Sequence, residues 1–125
     1  PSSAFLHRSL FDEVGFFDED LEVCEDYDLW LRVACRYEIG LVDKKLITKY
    51  AGHDDQLSFK YWGMDRFRVV ALEKLFCDKS IKSPIKSLLK QELLKKYELL
   101  LKGAIKYDKI QDILYKRKIE FYEHN

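Results

Sequence analysis

The chain is short of the residues that staple, hinge or anchor small proteins. Its three cysteines, Cys24, Cys35 and Cys77, are odd in number and show no Cys-x-x-Cys spacing. That excludes a disulfide framework and a structural zinc site, and leaves reduced thiols as the economical reading. The five glycines are scattered and build neither a Gly-x-Gly-x-x-Gly nor a Walker loop, so no such phosphate cradle is present. Charge of one sign is lacking too: 22 basic residues balance 22 acidic ones. Nucleic-acid binding, which asks for clustered Arg with exposed aromatics, is not expected. No apolar run is long enough to cross a bilayer and no signal peptide is read, so a cytoplasmic location is expected.

The balanced total hides an asymmetry. Residues 1–60 carry thirteen acids against seven bases, and residues 61–125 nine against fifteen. The sharpest feature lies in the acidic half, where Glu25-Asp26-Tyr27-Asp28 runs straight into Leu29-Trp30-Leu31-Arg32. Leu29, Trp30, Val33, Ala34 and Tyr37 recur at helical spacing, which predicts a helix over Asp26–Tyr37 with one buried face. Carboxylates in its first turn complement the positive end of the helix dipole, which fixes them and keeps them ionised. A fixed, ionised carboxylate at the rim of a packed element suits a general base. The plainer account makes Asp26 an N-cap and its neighbours solvated charges.

Two further blocks flank this one. Upstream stands Ser2-Ser3-Ala4-Phe5-Leu6-His7-Arg8-Ser9-Leu10-Phe11-Asp12-Glu13-Val14-Gly15-Phe16-Phe17-Asp18-Glu19, and downstream Leu46-Ile47-Thr48-Lys49-Tyr50-Ala51-Gly52-His53-Asp54-Asp55-Gln56-Leu57-Ser58. Taken in order, the three resemble the second half of the catalytic domain of family 2 glycosyltransferases, over roughly residues 2–60. The resemblance implies an α+β, mostly helical chain: residues 1–58 as a remnant of a GT-A catalytic domain with a few short strands, and residues 59–125 as a three-helix extension. It implies transfer, with inversion, from a nucleotide-sugar donor to a glycan or lipid-linked acceptor in cell-surface polysaccharide synthesis. Asp26 matches the catalytic base. Glu25, Tyr27 and Asp28 match acceptor-side or supporting positions, and Arg32 a support one turn along. His53 matches a position beside the donor diphosphate and its Mg2+ or Mn2+.

The family's nucleotide-binding region and its Asp-x-Asp motif have no counterpart here. The chain therefore reads as a carboxy-terminal piece, active within a longer parent and, by itself, without activity or bound cofactor. The rival reading is a non-catalytic helical interaction module, paired with a second copy or a further domain. A calcium loop over Asp18–Asp28 lacks EF-hand spacing and ranks last.

Local patterning predicts strands at Ser3–Arg8, Ile39–Val42 and Leu46–Tyr50, and a short helix over Ser9–Val14 closed by Gly15. A long amphipathic helix follows, presenting Tyr61, Trp62, Phe67, Val70, Ala71, Leu75 and Phe76. Ser83-Pro84 reads as an N-cap with proline at the first helical position, ahead of a leucine-rich helix that Gly103 stops. A last helix over Asp108–Tyr122 presents Ile110, Ile113, Leu114, Arg117 and Phe121. Lys82, Lys86 and Lys90 recur every four residues, the pattern of a helix lying on the inner face of a membrane, though Glu92 and Glu98 interrupt it.

Overall fold

The computed structural model of the chain describes residues 3–48, 50 and 61–125. It divides into two compact units, Pro1–Met64 and Asp65–Asn125. Among the described residues there are five helices: α1 (Leu10–Val14), α2 (Glu25–Ala34), α3 (Asp65–Cys77), α4 (Ile85–Lys106) and α5 (Asp112–His124).

In the first unit, α1 ends where Gly15 takes φ +80° and returns its N–H to the carbonyl of Phe11 at 3.0 Å. A side chain at that left-handed position is strained, which is the physical content of the predicted stop. Val14, Leu29 and Val33 form a small core, with Leu10 and Phe11 packed against it. This joins the last turn of α1 to the apolar face of α2.

The predicted strands are corrected by the structure. Among the described residues, none of Ser3–Arg8, Ile39–Val42 or Leu46–Tyr50 forms a strand. The reason is a missing partner: a lone extended segment leaves its N–H and C=O groups unpaired and its apolar side chains wet. Leu41 is 88% exposed and Leu46 71%, so neither gains burial from an extended backbone. Lys49 lies outside the described residues.

The second unit is an up-down-up helical bundle. α3 and α4 run antiparallel, since Lys96 reaches Asp65 at 3.1 Å at one end and Lys86 covers the Phe76 ring at 5.0 Å near the other. α5 returns along α4, and Lys90 Nζ meets the carbonyl of Glu123 at 3.4 Å. The core is built from Val69, Leu72 and Leu75 of α3, Leu89, Leu93, Tyr97, Leu100 and Ala104 of α4, and Tyr115 and Tyr122 of α5. Leu89, Leu93, Leu100 and Ala104 recur at the helical period, which is why so long a helix is read easily from sequence.

Three boundaries differ from expectation. α4 begins after Pro84, with no side-chain cap from Ser83. It also runs through Gly103 to Lys106, because one further turn buries Ala104. α5 begins at Asp112 rather than Asp108, whose φ of +49° turns the chain between the two helices. No helix among the described residues is long and apolar enough to cross a membrane.

Candidate functional site

The first turn of α2 sorts its acids by direction. Its N-cap is Cys24, buried and left-handed at φ +66°. Glu25, Asp26 and Asp28 occupy the turn that follows. Asp26 and Asp28 lie about 200° apart around the helix, so they cannot serve the same side.

Asp28 points inward. It is 3% exposed, the one buried charged residue among those described, and pairs with Arg32 Nε at 2.8 Å. The spacing of four places both groups on one face. Arg32 then spends the rest of its guanidinium on the backbone after α1. Nη1 donates to the carbonyls of Val14 and, at 3.2 Å, Gly15; Nη2 donates to Phe16 at 2.7 Å. A planar fork with five N–H donors can meet such a set, and an ammonium cannot. Phe16 lies stacked on Phe11, with ring centroids 5.3 Å apart and planes 6° from parallel. Asp28 and Arg32 therefore hold the Gly15–Phe16 turn against α2.

Asp26 stands on the other side, half-buried, and its Oδ1 accepts the N–H of Tyr27 at 2.7 Å. Glu25 and Tyr27 are also half-buried, and so is Trp30, while Leu29 is fully buried. The Glu13 carboxylate accepts the hydroxyl proton of Tyr37 and so raises that phenol's pKa. His53, the remaining expected site residue, lies outside the described residues. Among the described residues no three of His, Cys, Asp and Glu come together as a metal site. The acids of α2 are thus spread around the helix instead of converging.

A second polar cluster escaped the sequence reading. Glu73 Oε1 accepts from Tyr97 at 2.9 Å, Tyr122 at 2.8 Å and Lys118 at 2.6 Å, tying α3 to α4 and α5. Burial and the adjacent Glu73 carboxylate both push the Tyr97 and Tyr122 hydroxyls far above the ordinary 10.0, because each disfavours a second negative charge. The available signal was Glu73 itself, a lone acid between Leu72 and Leu75 on an apolar face. At the start of α3, burial raises Asp65, but hydrogen bonds from Arg68 and Lys96 outweigh it and hold the carboxyl below its usual value.

The lysine repeat is partly absorbed by packing. Lys82 is exposed, but Lys86 lies over Phe76 and Lys90 over the end of α5.

Against known proteins, the chain matches no family model, no curated protein and no solved structure.

Proposed function

We propose that this chain is the acceptor-side part of an inverting glycosyltransferase, with Asp26 as its base. The observation that carries the reading is the division of labour within Glu25-Asp26-Tyr27-Asp28-Leu29-Trp30-Leu31-Arg32. Asp28 and Arg32 turn inward and fix the helix, while Asp26 stays half-exposed at its start. In the reaction, the Asp26 carboxylate takes the proton of an acceptor hydroxyl as that oxygen bonds to the anomeric carbon. The bond from that carbon to the donor diphosphate breaks, and its electron pair leaves with the diphosphate. Glu25 and Tyr27 flank the acceptor. Magnesium or manganese would supply the counter-charge for a diphosphate leaving group, and His53 is the residue that would help to hold it.

The exposed Ile39, Leu41, Val42, Leu46 and Ile47 also favour a piece of a larger domain, since such a patch marks surface meant for cover. In this reading the segments around them pair as strands with the rest of the parent, in the cytoplasm. The same patch favours the second reading, a non-catalytic interaction module.

Reading the coding sequence upstream of Pro1 separates the two. An in-frame nucleotide-binding region with an Asp-x-Asp supports the enzyme. In that longer protein, Asp26→Asn is expected to abolish transfer while leaving donor binding and the melting temperature unchanged. Transfer near the wild-type rate refutes the assignment.

A further inference from the structure

α5 is apolar on two faces, and the bundle uses one. Its inward face carries Tyr115 and Tyr122, both buried, with Lys118 beside them on Glu73. On its other side Ile113, Leu114, Arg117 and Phe121 share an arc of roughly 100°. Ile113 is 58% exposed, Leu114 52% and Phe121 51%, and Ile110 in the turn entering the helix is 89% exposed. Ile105, at the end of α4, lines the same open cleft as Ile110 and extends the patch. Contiguous apolar surface of this kind marks a contact with another molecule.

The charges around the patch narrow the choice of occupant. Asp108, Asp112 and Glu120 stand against Lys109, Lys116 and Arg117, so the surface carries no net sign. It therefore favours neither an anionic membrane nor a nucleic acid. Asp112 and Lys116 answer each other at 3.0 Å. Asp108, Arg117 and Glu120 are exposed, and none of the three makes an ion pair among the described residues. Arg117 decides the matter, because it lies inside the apolar arc. Whatever covers that arc takes the guanidinium out of water and has to supply an acceptor.

The order of these residues along the chain makes the patch complementary to itself. Asp108 and Lys109 lie on one side of Leu114, and Arg117 and Glu120 on the other. Lys109 precedes Leu114 by five residues and Glu120 follows it by six. An identical face laid antiparallel across Leu114 thus sets Lys109 of each copy opposite Glu120 of the other, and brings Asp108 within reach of Arg117. Two-fold symmetry forms each pair twice. The same register sets Leu114 on Leu114 at the axis. A parallel copy sets like charge on like.

We infer that the outer face of α5 joins two copies of this chain in an antiparallel two-fold contact, with Ile110, Ile113, Leu114 and Phe121 buried and the Lys109–Glu120 and Asp108–Arg117 pairs formed across it. The contact is independent of the glycosyltransferase reading, since Asp26 lies in the other unit.

Sedimentation equilibrium of the full chain over a concentration series tests it. The wild type is expected to be a dimer that dissociates on dilution. Leu114→Ser with Phe121→Ser weakens association by about tenfold or more, with the helical circular dichroism retained. Leu88→Ser with Leu99→Ser, an exposed pair on α4, leaves it unchanged. Glu120→Lys and Lys109→Glu each set like charges across the contact and weaken it by about fivefold. An equimolar mixture of those two variants associates as tightly as the wild type, because each then meets its opposite. The inference is overturned by a wild-type chain that stays monomeric throughout, by association that the Leu114 and Phe121 changes do not move, or by a mixture no tighter than its components. A monomer that floats with phosphatidylglycerol vesicles also overturns it, by giving the face to lipid.

Discussion

The two units solve the same problem by different means. The unit over residues 65–125 holds its helices with continuous stripes of leucine and tyrosine, and its polar bonds decorate a core that already exists. The unit over residues 1–64 packs Val14, Leu29 and Val33 and then relies on one guanidinium to join α1 to α2. Where apolar area is scarce, an Arg bonded to four acceptors sets the geometry. Where it is plentiful, polar groups can be spent on register.

The sharpest way to break the comparison is Arg32→Ala, which strands the Asp28 carboxylate in an apolar setting and should cost about 4 kcal/mol. Both tryptophans, Trp30 and Trp62, lie in the first unit, so their fluorescence reports on it selectively. The change is expected to lower the fluorescence midpoint in denaturant while the main helical circular-dichroism transition holds. Coincident shifts in both signals would merge the units thermodynamically.

Glu73→Ala works the other way. It removes the acceptor of two buried hydroxyls and an ammonium, and should lower the unfolding free energy read from the circular-dichroism transition by about 2 kcal/mol with the tryptophan signal unmoved.

Alkali sharpens the contrast further. Tyr97 and Tyr122 hold their protons above the ordinary phenol value of 10.0 when folded. Their contribution to stability is complete below that pH. Above it the unfolded chain releases protons that the folded chain keeps, so stability falls as pH rises. Ultraviolet titration should show these two ionising only as the helical signal is lost, and early ionisation with the helices intact would contradict the network.

The smallest effect is a gain. Gly103 lies inside α4 with open space where a Cβ would go, so Gly103→Ala should stabilise the second unit by about 1 kcal/mol.

Legibility followed the same divide. The leucines of α4 announced their helix because one period runs along its whole length. α5 is located by its pattern, but the residues that mark it, Ile113, Leu114 and Phe121, stay exposed while Tyr115 and Tyr122 go inside. What reverses the choice is an acceptor on another helix, Glu73, which lets tyrosine rings go inside with their hydroxyls satisfied. In the first unit the spacing of Asp28 and Arg32 was visible, but the carbonyls of Val14, Gly15 and Phe16 that complete the clamp carry no side-chain signature. The strands failed because their apolar alternation describes a surface that needs a neighbour, and pattern alone supplies none.

One carboxylate oxygen shared by donors from two helices has a kinetic meaning. Peeling either α4 or α5 from α3 takes at least one of Tyr97, Tyr122 and Lys118 from Glu73 and wets the stacked Tyr97 and Tyr122 rings, so each helix raises the cost of losing the other. Concerted opening is the expected outcome: backbone amides deep in all three helices should exchange with solvent at a common rate, and a separate, faster class in α5 would contradict it.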